Sequence, residues 1–141
     1  MTTRILLPLD DSPTADRTIQ ELIAQRERYP IPITVLHVVN TERLTYHAIP
    51  DFQLEMIREK AAKAGEQMLT SRCQELSDAG LQVIPRLEFG SPRQIVCKVA
   101  NEEKFELIIL GRRRAGEIRD VLFGSVSNYA LHHVHCPVLL F

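Results

Sequence analysis

Leu107-Ile-Ile-Leu-Gly111 and, thirteen positions after that glycine, Gly124-Ser125 within Phe123-Gly-Ser-Val-Ser127 set the character of this chain. A short apolar run closing on glycine predicts a buried strand whose carboxyl end opens into a loop. Gly124-Ser125 predicts a helix start, where the first amides lack intrahelical partners and the helix dipole favours an anion. Ile5-Leu-Leu-Pro-Leu9, ending in Asp10, is a second run of the same kind. Together they predict a pocket for a phosphorylated ligand between two strand ends.

The chain has 141 residues, enough for one domain with a real core, and a single domain over 1–141 is expected. Apolar residues at 45% and charged residues at 25% are the composition of a globular protein. A net charge of −1 excludes an overall basic footprint for nucleic acid. No apolar run reaches membrane-spanning length. Pro8, Asp10 and Asp11 interrupt the N-terminal apolar stretch too early for a signal peptide. Cys73, Cys97 and Cys136 are odd in number and far apart, which fits reduced thiols of a cytoplasmic protein better than a disulfide framework.

Strands and helices alternate along the chain. Arg4 to Leu9 is the first predicted strand, and Ser12-Pro13 opens a helix with Ala15, Ile19, Leu22 and Ile23 on one face. Ile33 to Val39 is the second strand, and residues 40–50 read as a loop. From Asp51 to Asp78, Ile57, Ala61, Ala64, Met68 and Leu76 recur at helical spacing, with Gly80 as terminator. Gln82 to Phe89 is the third strand, with Val83, Ile84 and Leu87 as core candidates. Gly90-Ser-Pro92 turns into a helix burying Ile95, Val99 and Ala100. Leu107 to Leu110 is the fourth strand, Ser125 to His133 a short helix and Pro137 to Phe141 the fifth strand.

Apolar strands alternating with helices predict a parallel sheet covered on both faces. In such open sheets ligands sit beyond the carboxyl ends of the strands, where the winding reverses. A reversal between strands one and four would put Asp10 and Gly111 in one crevice. The residues alone do not fix that order.

Several segments resemble a known family. Ile5-Leu-Leu-Pro-Leu-Asp10-Asp-Ser12 is similar to the opening strand and aspartate-x-serine turn of the universal stress proteins of UspA type. Leu36-His37-Val38 resembles the end of their second strand, and Gly90-Ser-Pro92 their glycine-x-proline turn. Gly124-Ser-Val-Ser-Asn-Tyr-Ala-Leu-His-His-Val-His-Cys136-Pro137-Val138 is similar to their closing signature. The chain is identified as a single-domain member over essentially its whole length.

The resemblance implies a three-layer α/β/α fold of the adenine nucleotide alpha hydrolase-like type, with a five-stranded parallel sheet ordered 3-2-1-4-5. It implies a stress-response regulatory module rather than an enzyme, binding ATP or a related adenine nucleotide, with Mg²⁺ accompanying ATP. The contacts it implies are Pro8, Leu9, Asp10, Val38, Leu110, Gly111, Arg112, Arg114, Gly124, Ser125, Val126 and Ser127. The family pattern has glycines at the positions of 111, 114 and 124, the last followed by serine or threonine. Gly111 and Gly124-Ser125 fit it, whereas Arg114 replaces the second glycine. The resemblance also implies a homodimer through the edge strand Val138 to Phe141. A slow ATPase and a nucleotide-free interaction module are the alternatives.

Chemistry gives each candidate two readings. Asp10 either accepts hydrogen bonds from a ribose or an adenine amino group, or caps the turn before Ser12. Val38 either touches the base or is ordinary core. Pro8 has no amide to donate, so it belongs where the strand can spare that bond. Ser125 and Ser127 suit phosphate oxygens and also suit N-capping. Gly111 serves close backbone approach or a tight turn. Arg112-Arg113-Arg114 either grips phosphate or, through Arg114, closes the pocket, with Gly116 able to restore flexibility. His132, His133, His135 and Cys136 crowd together without a second ligand cluster, so no metal site is expected. His37 reads as a hydrogen-bonded core histidine. There is no Walker-type lysine and no spaced nucleophile, base and orienting group.

Overall fold

The computed structural model describes residues 4–42, 50–112 and 125–141. In chain order the elements are β1 (Ile5–Pro8), α1 (Pro13–Ala24), β2 (Ile33–Asn40), α2 (Asp51–Asp78) and β3 (Val83–Gly90). They continue with α3 (Pro92–Glu102), β4 (Leu107–Leu110), α4 (Ser125–His133) and β5 (Val138–Leu140). Strand limits differ from the sequence reading by about one residue, as fraying ends do.

The strands form one sheet ordered β3-β2-β1-β4-β5, with every neighbouring pair parallel. Winding runs outward from β1 to β3, then restarts on the other side at β4. Alternation along the strands divides the core into two layers. Ile5, Leu7, Ile33, Val35 and Ile109 face α1 and α2, packing with Ile19, Leu22, Leu69 and Leu76. Leu6, Leu36, Val38, Ile108 and Leu110 face α3 and α4, packing with Val96, Val99, Ala100 and Ala130. The three-layer α/β/α architecture of the sequence reading is the one observed.

Local chemistry accounts for the helix ends. Ser12 caps α1 by accepting the Ala15 amide at 3.1 Å, with Pro13 at the first helical position. At the other end of α2, Gly80 takes a φ of +97°. The Leu81 amide then reaches the Leu76 carbonyl at 3.1 Å and the Gly80 amide reaches Ser77 at 2.9 Å. That pair of bonds is a Schellman motif, sealed by contact between buried Leu76 and Leu81.

Three core assignments need correction. On α2 the buried residues are Gly65, Leu69, Arg72, Cys73 and Leu76, so the stripe lies one position away from Ala61, Ala64 and Met68. Ile57 and Ala64 are exposed. The physical reason is length: 28 residues span about 42 Å, whereas the eight residues of β3 span about 26 Å. The first half of α2 therefore overhangs the sheet. Ile84 is 51% exposed, because β3 is an edge strand and its face toward α3 is only partly covered. Ile95 is half-buried, and Val96 and Cys97 take the inward positions of α3.

Candidate functional site

The site arises where β1 and β4 part. Their pairing stops after Ile5↔Leu107 and Leu6↔Ile108, while β1 stays paired to β2 through Pro8↔Leu36. The Leu9 amide donates to the Leu36 carbonyl at 2.9 Å, toward β2. Successive amides of a strand point to opposite sides, so the missing N–H of Pro8 falls on the side facing β4, where the ladder has already ended. A cavity of about 950 Å³ opens beyond these strand ends. That volume lies in the range of small-molecule sites.

The cavity gathers most of the sequence-predicted contacts. Pro8, Leu9 and Asp10 come from the end of β1, and Val38 from the end of β2. Leu110 and Gly111 come from the end of β4, and Val126 and Ser127 from the first turn of α4. Arg112 is not among the lining residues; it is exposed, and its amide donates to the Phe141 carbonyl at 2.9 Å beside β5. Ser125 opens α4. Arg113, Arg114, Gly116 and Gly124 lie outside the described residues, as do residues 43–49 of the predicted loop.

Asp10 caps the turn before Ser12 and also lines the cavity. One carboxylate oxygen accepts the Ser12 amide at 3.0 Å, making the turn into α1. The other oxygen has no partner among the described residues, and the residue is exposed at the cavity. The turn is held from behind. The Leu9 carbonyl lies 2.9 Å from His37 Nδ1, and since a carbonyl only accepts, Nδ1 carries the proton. The Asp10 carbonyl accepts from Arg72 of α2 at 3.1 Å.

Gly111 and Ser127 close the β4 side. The backbone at Gly111 is not left-handed. A glycine is required there because α1 presses against it, through Thr14 and Thr18. The buried Ser127 hydroxyl donates to the Gly111 carbonyl at 3.1 Å, so its proton ties α4 to β4 and its lone pairs remain. Asp10, Asp11 and Glu42 bring negative charge to the cavity wall. Arg93, in the first turn of α3, brings positive charge, its guanidinium 5.6 Å from the centre of the Tyr129 ring on α4.

Other candidates have structural employment. Among the described residues no three His, Cys, Asp or Glu side chains are placed to hold a metal ion. His133 stacks on Tyr129 with ring centroids 3.8 Å apart, and its Nδ1 lies 2.7 Å from the Tyr129 carbonyl. Cys73, Cys97 and Cys136 are free thiols, and burial pushes the pKa of each upward. Among the described residues no helix is long and apolar enough to cross a membrane.

Arg72 and Arg93 have no signal in the sequence. His37 has the hydrogen bond expected of it, to the Leu9 carbonyl, and lines the cavity as well. Arg72 and Arg93 sit on helices without any local motif, and only the folded packing gives them a role.

Comparison with known proteins agrees with this geometry. The profile of the Universal stress protein family matches residues 1–141. The chain belongs to this family. A universal stress protein of Synechocystis is 27% identical over 148 aligned positions, covering 97% of this chain and 96% of that protein. The solved universal stress protein UspA of Lactobacillus plantarum superposes with a TM-score of 0.81 at 24% identity, covering 99% of this chain and 97% of that one. A family member from Arabidopsis thaliana, solved with AMP bound, has a TM-score of 0.69 at 17% identity, covering 99% and 90%. These neighbours share the adenine nucleotide alpha hydrolase-like fold.

Proposed function

We propose that this universal stress protein is a regulatory module that binds an adenine nucleotide between β1 and β4. The observation that carries the reading is the parting of β1 from β4 after Leu6, with Asp10 on one side of the opening and the first turn of α4 on the other. The free carboxylate oxygen of Asp10 suits ribose hydroxyls or the adenine amino group, both hydrogen-bond donors. The amides opening α4 suit phosphate, and Arg93 adds a positive charge on the neighbouring helix. AMP bound to the Arabidopsis neighbour supports the ligand class.

With a triphosphate, Mg²⁺ would enter on the nucleotide, since the described side chains present no metal cluster of their own. Calorimetry with AMP, ADP and ATP, with and without Mg²⁺, tests the reading. Saturable binding near one nucleotide per chain is expected, and absence of heat and of thermal stabilisation at millimolar nucleotide would reject it.

A second reading follows from Arg114, which stands where the family pattern has a glycine. In it Arg114 closes the pocket, and the protein acts as a nucleotide-free interaction module. Arg114→Gly would then create or strengthen ATP binding, whereas weaker binding would make Arg114 a phosphate ligand. Under either reading we propose a homodimer through β5. That strand is the sheet edge, paired only to β4 among the described elements, with Val138, Leu139, Leu140 and Phe141 half-buried. Light scattering should give twice the chain mass of 16.1 kDa.

A further inference from the structure

Arg72 lies on the inward face of α2 beside Leu69, Cys73 and Leu76, and is only 8% exposed. A guanidinium keeps its charge in a protein, and burying it without partners is costly. Among the described residues its partners lie in one place. Nη2 donates to the Asp10 carbonyl at 3.1 Å, Nη1 donates to the Asp16 carboxylate, and the Asp11 carboxylate stands 3.9 Å from Nη2. These residues belong to the turn between β1 and α1 and to the first turn of α1. Arg72 itself does not line the cavity.

We propose that Arg72 is a positioning residue of the ligand site, holding the β1–α1 turn from behind so that Asp10 meets the nucleoside end already in its binding orientation. Its role toward a nucleoside rests on the nucleotide reading above. Three carboxylates, Asp10, Asp11 and Asp16, are concentrated in this short stretch, and their mutual repulsion works against a tight turn. One buried cation offsets it. The planar fork reaches a carbonyl and a carboxylate at once through different nitrogens, which the single ammonium of a lysine does less well. Core stability alone gives no reason for an arginine here, because a well-packed apolar residue often replaces a buried ion pair without loss. What the arginine adds is the geometry of the turn.

The experiment uses the full chain with Arg72→Met, which keeps an apolar stem, and Arg72→Lys, which keeps the charge. Two readouts are compared with wild type: hydrogen exchange of the Ser12 amide without ligand, and calorimetric affinity for AMP and for inorganic tripolyphosphate. We expect a retained cooperative thermal transition and faster Ser12 exchange, with AMP affinity reduced about tenfold and tripolyphosphate affinity changed by less than about twofold. Unchanged Ser12 exchange would overturn the proposal. So would equal losses for AMP and tripolyphosphate, the mark of general loosening. If wild type binds neither probe, the nucleotide reading fails, and Ser12 exchange alone still decides whether the clamp exists. If Arg72→Met does not fold, Arg72→Lys carries both measurements.

Discussion

A Cβ placed on Gly111 would stand 2.2 Å from Thr18 Oγ1 and 2.8 Å from Thr14 Cγ2. Thr18 cannot simply turn aside, because its hydroxyl donates to the Thr14 carbonyl at 2.8 Å within α1. Gly111→Ala should therefore destabilise the fold by about 1–3 kcal/mol, the usual cost of overpacking. Urea unfolding should show a lower midpoint with an unchanged slope. Thr18→Ala removes the clashing oxygen, so the double variant should recover part of the loss.

Ser127→Ala removes the donor to the Gly111 carbonyl and leaves that acceptor short of a partner at the base of the cavity. A loss of about 1 kcal/mol is expected, with Ser127→Thr keeping most of the wild-type stability. Chemical denaturation of the two variants side by side separates the lost bond from a general intolerance of substitution.

Gly80 has nothing within 4 Å of where a Cβ would sit, yet its φ is +97°. Gly80→Ala therefore meets no clash and isolates backbone strain. It should cost about 1 kcal/mol, and Gly80→Asn less, since asparagine tolerates the left-handed region. Equal stability of all three chains in thermal unfolding would remove the Schellman account of the α2 terminus.

Glu103 joins the end of α3 to β3 and to the start of β1. The hydrogen bond from Arg86, with help from the charges of Arg86 and Arg4, holds its carboxyl below the ordinary value of 4.5. A carboxyl held low stabilises the fold above its unfolded value, and that contribution is lost as pH falls through the lower folded value. Glu103→Gln should be less stable than wild type near neutral pH by no more than about 1 kcal/mol, as partly exposed ion pairs allow. The difference should shrink steadily below pH 4.5. A gap that stays constant down to strongly acidic pH would show that charge is not its source.

Strands β1 and β4 were legible because their apolar runs are continuous. Ile5 to Leu7 and Ile108 to Leu110 are buried on both faces and need no tertiary knowledge to be recognised. Helix α2 was legible in extent and misread in facing. Its buried stripe includes Gly65 and Arg72, which no hydropathy pattern selects, and its early turns have no sheet to face. Gly65 is inward because the helix comes so close that a Cβ there would lie 2.7 Å from Val39 Cγ2.

The site shows the same division. That Asp10, Val38 and Gly111 line the cavity was legible in the sequence, since Asp10 and Gly111 follow β1 and β4, Val38 lies near the end of β2, and strand ends line the crevice of an open sheet. The hydrogen bonds of His37 to Leu9 and of Arg72 to Asp10 join residues 28 and 62 positions apart, respectively. Which partner each side chain finds is decided only by packing between elements.

The capped carbonyls at the end of β1 also bear on electrostatics. Past its last ladder bond a strand's carbonyl oxygens lose their partners on the neighbouring strand, and bare oxygens at the rim of this cavity would repel phosphate. Here His37 takes the Leu9 oxygen and Arg72 the Asp10 oxygen, so donors from β2 and α2 already occupy them. The central strand thus presents its end as a screened edge, and an anion can lie across it without facing two bare dipoles.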